Sequence, residues 1–238
     1  MSLSTKLDTL TSILYQGRDE SHGIKHVNKV YQNCLEILDN LTTVEKIALS
    51  LTDLDENDIH DIIICSALLH DAWDHKYIKN SNQEAEKKEF VSYYLIPEIK
   101  ADKMKIILNI IDNISFSKEK SGKRQNLGKY EILRNIVSDA DKLEAISDNG
   151  IPRSILYNLQ KNNIRNVNEN YINQISDDII QHYHYKLSKL TDKYIVIEYA
   201  KNIAKKLDTR LKLIVSEKSI LSMYIKKFLI QKNINLNC

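Results

Sequence analysis

Histidine and aspartate residues interrupt an apolar stretch of the chain at a place where they would have to share partners. An apolar run ends in His70 and Asp71, and Asp74 follows three residues after Asp71. The apolar residues of this run repeat at helical spacing, which predicts a largely buried helix. Unpaired polar groups are costly to bury, so the imidazole and the carboxylate need partners. A metal ion and a hydrogen-bond network are the two alternatives at this point.

Two further helices carry residues of the same chemical types. His26 lies near the first turn of an amphipathic helix, and His22 precedes that helix. Taken alone, His26 is interpreted as a structural or exposed residue. Asp141 lies just beside the buried stripe of a later helix, where a carboxylate can point inward. Asp139 lies about 200° further round that helix, so it and Lys142 are expected either on a solvated face or beside the site.

Composition restricts the class of protein. The 238 residues include 34 basic and 32 acidic ones, a net charge of +2, which does not indicate a nucleic-acid-binding protein. Only two Pro and five Gly favour an all-helical chain. Cys34 and Cys65 lie in apolar helical patterns, which favours buried free thiols in a reducing compartment. No apolar run approaches the roughly 18 residues of a membrane span, so a cytoplasmic protein without a membrane partner is expected.

Helical periodicity extends along the whole chain and predicts one all-α domain, 1–238. Its core is expected at about 18–160 and a C-terminal helical extension at about 170–238. The capping pattern of Ser81 and Glu84 predicts a helix start, and Gly150 with Pro152 predicts a helix end. Loops are expected at 117–129 and 161–169, and no strand pattern of useful length is present. The predicted helices are 3–15, 24–38, 42–51, 58–73, 81–96, 101–114, 130–146, 154–160, 177–190 and 194–232.

The order His26, His70-Asp71 and Asp141 resembles the H…HD…D pattern of the HD-domain metal-dependent phosphohydrolases. Further segments are similar to a subgroup of stand-alone bacterial-type HD hydrolases, and the resemblance runs from about residue 18 to 215. These segments are Ser21-His22-Gly23-Ile24-Lys25-His26, Ile114-Ser115-Phe116-Ser117, Asp139 to Ile146, Gly150-Ile151-Pro152-Arg153 and His182-Tyr183-His184-Tyr185-Lys186-Leu187.

The resemblance implies an all-α HD bundle that holds one divalent metal ion. Its ligands would be His26, His70, Asp71 and Asp141, a mixed nitrogen and oxygen set that suits Mn²⁺ first, with Fe²⁺, Co²⁺, Ni²⁺, Zn²⁺ or Mg²⁺ as alternatives. Such an ion acidifies its bound water and polarises a phosphoryl oxygen.

Helper residues follow from the same resemblance. Asp74 occupies the place of an acidic residue in the related guanosine-tetraphosphate hydrolases, so Asp74 and Asp71 are the predicted catalytic pair. His75 follows where that group has Asp, so the parallel is incomplete. A further group of residues would contact the phosphates of the substrate. The alternative for each of them is a surface or structural position with no contact to substrate. These residues are His22, Lys76, Lys142 and Arg153.

Two classes of function remain open from the sequence. The first is a phosphohydrolase of a small-molecule nucleotide, best described as a nucleoside triphosphate pyrophosphohydrolase. A nucleoside monophosphate phosphatase or a guanosine tetraphosphate hydrolase is the enzymatic alternative. The second is a non-catalytic nucleotide sensor or partner-binding protein, for which the final helix 194–232 would be a homodimer or partner surface. The complete ligand set favours the enzyme. His182 and His184 are explained by packing, and no role is assigned to them.

Overall fold

The computed structural model describes residues 1–18, 22–75, 77–78, 80–162, 164 and 166–237. The chain is 76% helical, which confirms the all-α prediction. The α-helices are α1 (Leu3–Leu14), α2 (Ile24–Asp39), α3 (Thr43–Ser50), α4 (Glu56–Leu69), α5 (Ser81–Leu95), α6 (Ala101–Asp112), α7 (Phe116–Lys120), α8 (Glu131–Ile146), α9 (Gly150–Lys161), α10 (Glu169–His182), α11 (Glu198–Val215) and α12 (Lys218–Gln231). Within the described ranges, no helix is both long and apolar enough to cross a membrane.

The chain divides into two compact units, and the boundary lies between Asp141 and Lys142 within α8. In the first unit, α4 contacts α1, α2 and α6. Its buried positions include Ile62, Ile63 and Leu69, so a helix that is apolar around most of its surface occupies the centre of this unit. In the second unit, α10 packs against α9 and α12, and α11 packs against α12. The single-domain organisation of 1–238 stays a prediction.

Several helix ends differ from the sequence prediction for local reasons. The helix expected to continue to Trp73 ends at Leu69. The helix that begins at Ser81 is capped by Asn80, whose side chain accepts from the Gln83 backbone N–H, because Asn caps a helix as well as Ser does. The long final helix is interrupted at Ser216, whose hydroxyl donates to the Leu213 carbonyl and competes with helical hydrogen bonding.

The segment around residue 166 contains structure that the periodicity did not indicate. Asn166–Asn168 pairs in parallel with Asn235–Asn237, and strands of three residues are too short to show an alternating pattern. The helix expected from Asp177 begins earlier, because Asn168 accepts from the Tyr171 backbone N–H and caps α10. Ser176 is fully buried inside α10 and donates to Ile172 O.

Gly150 and Pro152 begin α9 in the structure, whereas the sequence suggested that they end α8. Proline is tolerated in a first turn because the backbone N–H groups there have no partner within the helix. A Cβ at Gly150 would lie 2.3 Å from the Ala145 carbonyl oxygen, so the close approach of the two helix ends requires glycine.

Burial protects two thiols in the first unit. Cys34 and Cys65 are free and buried, as the sequence predicts, and burial raises the pKa of both thiols.

In a Cys238→Ser variant, which removes the one cysteine outside the described residues, we expect no reaction with a thiol reagent at about pH 8 until the protein is unfolded. The extent of reaction is measured from the absorbance of the thiolate that an aromatic disulfide reagent releases when it modifies a cysteine. Rapid modification of the folded variant would contradict the burial of these two helix faces.

Candidate metal centre

Two imidazole rings meet where α2 begins and α4 ends. The Nε2 atoms of His26 and His70 lie 3.1 Å apart. The side chain of His26 is 1% exposed and that of His70 is 4% exposed. The turn that follows Leu69 brings His70 to the start of α2, although 44 residues separate the two in the chain.

Two carboxylates complete the group that the resemblance named. Oxygens of Asp71 lie 3.5 Å from Nε2 of His26 and 3.5 Å from Nε2 of His70. Asp141 Oδ1 lies 3.5 Å from Nε2 of His26 and 3.9 Å from Nε2 of His70. The side chain of Asp71 is 15% exposed and that of Asp141 is 35% exposed, so the group opens towards solvent on the side of Asp141.

These separations fit a bound divalent ion. Two atoms that each lie about 2.1 Å from one ion can be at most about 4.2 Å apart, and every separation above is shorter. His26, His70 and Asp71 each offer one atom such that all three lie within 4.8 Å of one another. Imidazole nitrogen and carboxylate oxygen together suit first-row divalent metals. The cluster could therefore hold a metal ion.

A second hydrogen bond of His70 sets its tautomer. Nδ1 of His70 lies 2.7 Å from the carbonyl oxygen of Ala67. A carbonyl only accepts, so Nδ1 carries a proton, and Nε2 is the ring nitrogen that faces the cluster and could bind a metal ion. Histidine ligands in metal sites are commonly oriented by such a bond from the other ring nitrogen.

Asp71 is held in its ionised form. Burial alone raises the pKa of Asp71, but the neighbouring His70 and His26 imidazoles outweigh burial and hold this pKa well below its usual range. The carboxylate is therefore charged throughout the neutral range, as a metal ligand must be.

A buried asparagine joins the helices that carry His26 and Asp141. Asn33 lies seven residues after His26, two turns along the same face of α2. Its Nδ2 donates to the Ala140 carbonyl at 3.0 Å, next to Asp141. Sequence reasoning missed Asn33, although a polar residue within the apolar stripe of α2 was the available signal.

The segment between α6 and α8 is anchored by a partly buried arginine. Arg124 donates from Nε to Asn113 O and from Nη2 to Ser138 Oγ, each at 2.7 Å. Arg124 also pairs with Glu119. Asp139 lies close enough to interact electrostatically with Arg124, and it is 0% exposed. The solvated face expected for Asp139 is therefore wrong, because α8 is covered on that side as well.

Two predicted helpers lie near the cluster along the chain or in space. The ring centroid of His22 lies 6.3 Å from that of His26 and 5.7 Å from that of Tyr77. Asp74 lies in the turn after α4, with Oδ1 3.3 Å from Nδ1 of His75. The backbone N–H of Asp74 donates to Asp71 O at 3.1 Å, so both aspartates belong to one hydrogen-bonded turn.

Of the basic residues predicted to bind phosphate, two have partners within the protein and one lies outside the described residues. Lys142 is buried and donates to Tyr194 O within the second unit, so the solvated face expected for it is wrong. Arg153 pairs with the buried carboxylate of Glu144, also within the second unit. Lys76 lies outside the described residues. Contact of these three residues with a substrate stays a prediction.

Solved structures share this fold. The chain is similar to a Lactobacillus plantarum protein at 22% identity (TM-score 0.63; 91% of this chain and 96% of that chain covered). It is similar to Bacillus subtilis YpgQ, solved in complex with ADP, at 17% identity (TM-score 0.54; 97% of each chain). It is also similar to an HD-superfamily hydrolase from Bacillus thuringiensis at 20% identity (TM-score 0.51; 98% and 99%). The chain matches no family model and no curated protein.

The chain thus combines a fold that also occurs in an HD-superfamily hydrolase with a His/Asp cluster able to bind metal. At these identities the likeness establishes the fold. The subgroup of HD hydrolases suggested by the sequence segments stays a prediction.

The Asn33 hydrogen bond supplies a test of how α2 and α8 are held together. Asn33→Ala removes a buried hydrogen bond, so we expect a loss of about 1 kcal/mol in the free energy of unfolding, measured by urea denaturation. Asn28→Ala changes the same residue type at an exposed position of α2 and should leave stability close to native. Equal stability of the two variants would contradict the role assigned to Asn33.

Proposed function

We propose that this protein is a divalent-metal-dependent phosphohydrolase that cleaves a phosphate bond of a small nucleotide. The observation that supports the proposal is the convergence of His26 on α2, His70 and Asp71 in the turn after α4, and Asp141 on α8. The two Nε2 atoms lie 3.1 Å apart, and each carboxylate has oxygens 3.5–3.9 Å from them. The chemistry of these donors suits a single Mn²⁺, Fe²⁺, Co²⁺, Ni²⁺, Zn²⁺ or Mg²⁺ ion, and Mn²⁺ is the first candidate.

The four side chains would hold the ion between α2, the end of α4 and α8. When bound, such an ion supplies Lewis-acid activation of a phosphoryl oxygen and acidifies water. The protein contributes fixed ligand orientation through the bond from His70 to Ala67 O and an Asp71 carboxylate that stays charged. Phosphoryl transfer depends mainly on such positioning and on charge neutralisation.

Asp74 is the proposed general base. Its side chain is 18% exposed, so it can reach solvent, and its backbone is bonded to Asp71 within one turn. In this proposal Asp74 orients the attacking water and accepts its proton, while Asp71 acts by holding the ion. A general base of this kind contributes about 10²–10⁴-fold to the rate.

A nucleoside triphosphate is the proposed substrate, hydrolysed to the monophosphate and pyrophosphate. Two findings support a nucleotide: the sequence segments shared with the stand-alone HD hydrolases, and the ADP complex of Bacillus subtilis YpgQ, a protein of the same fold. His22, Lys76, Lys142 and Arg153 are the proposed phosphate contacts. Nucleoside monophosphates and guanosine tetraphosphate are the alternative substrates to include in an assay.

Removal of one ligand tests the ion and the activity together. We expect His70→Ala and Asp141→Ala to lose bound metal, measured by metal analysis, while far-ultraviolet circular dichroism stays helical. Asp71→Ala should also fail to hydrolyse a nucleotide panel supplied with Mn²⁺, Co²⁺ or Mg²⁺. His60→Ala is the matched control, because His60 lies on α4 with a half-exposed side chain bonded to Tyr31. Stoichiometric metal in His70→Ala would refute the ligand assignment, and nucleotide binding without turnover by the native protein would favour a sensor.

Replacement of the proposed base separates catalysis from metal binding. Asp74→Asn keeps the size of the side chain and removes its basicity, so we expect kcat to fall by about 10²–10⁴-fold with metal content unchanged. His75→Ala removes the neighbouring imidazole and is the control. A native kcat in Asp74→Asn would exclude Asp74 as the base.

A further inference from the structure

The end of α4 leaves backbone carbonyls that need hydrogen-bond donors. The last four carbonyls of an α-helix have no partner within the helix, and buried ones must find another. Two are bonded by the turn itself, since His70 Nδ1 lies 2.7 Å from Ala67 O and the Ala72 N–H lies 2.9 Å from Leu69 O. The carbonyls of Asp71 and Ala72 lie beyond the helix. The Asp74 N–H donates to the Asp71 carbonyl at 3.1 Å, and each of the two carbonyls can also accept from donors outside the turn.

A residue distant in sequence supplies those donors. Arg18 donates from Nη1 to the Asp71 carbonyl at 2.7 Å and from Nη2 to the Ala72 carbonyl at 2.9 Å. The planar fork of a guanidinium matches two adjacent acceptors in a way that an ammonium cannot. The positive charge also lies at the negative end of the α4 dipole.

Two aromatic rings hold this guanidinium. Cζ of Arg18 lies 4.6 Å from the ring centroid of Tyr15 and 4.3 Å from that of Tyr77, within the range of cation–π attraction. The buried Tyr15 hydroxyl donates to Leu68 O at 2.9 Å, and the Tyr77 N–H donates to Asp74 O at 2.8 Å. The Tyr15 side chain is therefore bonded to the end of α4 and the Tyr77 backbone to the turn that follows it, and Tyr15, Arg18 and Tyr77 form one unit, here called the arginine clamp.

We propose that Arg18 is a positioning residue for the candidate metal centre. The proposal rests on the metal-dependent function proposed above. The clamp binds the backbone of Asp71, whose carboxylate faces His26 and His70, so it fixes the two peptide planes that directly follow the Asp71 Cα. Without the clamp the turn after Leu69 would sample other conformations, and the spacing of the His70 and Asp71 donor atoms would widen. Arg18 contacts backbone and rings, so it acts through Asp71.

The chain offers a matched control in Lys87. Its Nζ lies 3.4 Å from the Ala72 carbonyl, so it places a second cation beside the same turn but reaches only one of the two acceptors, and at a longer distance. Burial and the nearby Arg18 lower the pKa of Lys87, which agrees with two cations lying close together. Lys87→Met thus removes a charge and leaves the bond to Asp71 intact.

The test is titration of metal-free protein with Mn²⁺ by calorimetry, which requires no turnover. We expect Arg18→Ala to lower the affinity by about 10–100-fold, as loss of residues that orient metal ligands does. Arg18→Lys keeps the positive charge but not the planar fork, so it should restore only a small part of the affinity for Mn²⁺. Lys87→Met should stay near native. If Arg18→Ala does not fold, as judged by circular dichroism, Arg18→Lys decides, and native affinity in that variant overturns the proposal.

Kinetics then distinguishes positioning from direct contact with a phosphate. A positioning role predicts that Arg18→Lys lowers kcat at saturating Mn²⁺ with KM for the nucleotide near native. Unchanged metal affinity in Arg18→Ala, with a raised KM that Arg18→Lys restores, would overturn the proposal and assign Arg18 to substrate. Absence of Mn²⁺ binding by the native chain would refute the metal-dependent function and the clamp's role together. Native binding that is unaffected by Arg18→Ala would refute the clamp's role alone.

Discussion

The approach of two buried imidazole nitrogens to 3.1 Å is the constraint on which the rest of this structure depends. These two nitrogen atoms are almost fully shielded from water. They therefore need carboxylates or a cation as interaction partners. Asp71 and Asp141 supply the acidic groups within 3.9 Å. Burial of Asp71 would by itself favour its neutral form, yet the imidazoles hold the pKa of Asp71 low. The four side chains of the cluster therefore form one network of interacting polar groups within the apolar first unit.

The surrounding helices are arranged so that this polar group can be tolerated. The second half of α4 is apolar except for Ser66, and the polar atoms at and beyond its C-terminal end are bonded one by one by side chains and backbone. His70 bonds Ala67 O, Tyr15 bonds Leu68 O, and Arg18 bonds the carbonyls of Asp71 and Ala72. Asn33 performs the corresponding role between α2 and α8. The four proposed ligands would then need little further ordering to hold an ion, which is how a preorganised site reaches useful affinity.

Local patterns in the sequence predicted the all-helical fold and the identity of the clustered residues, because apolar periodicity and motif order are written along the chain. They missed α7, which overlaps the expected loop 117–129, and the break between α11 and α12. Periodicity could not reveal the partners of Arg18, Asn33 or Arg124, since each donates to a carbonyl or hydroxyl that its own helix or loop does not contain. Asp139 illustrates the same limit: its position on α8 suggested solvent, whereas the segment anchored by Arg124 covers it. The pairing of the two three-residue strands depends on a contact of this tertiary kind as well.

The central claim is that one ion is held by four side chains from α2, the end of α4 and α8. Anomalous X-ray diffraction from crystals grown with Mn²⁺, recorded near the manganese absorption edge, measures this position directly. The account predicts one strong peak about 2.0–2.3 Å from Nε2 of His26 and of His70 and from an oxygen of Asp71 and of Asp141. A manganese peak elsewhere, or well-ordered density for the four side chains with no peak between them, would contradict it.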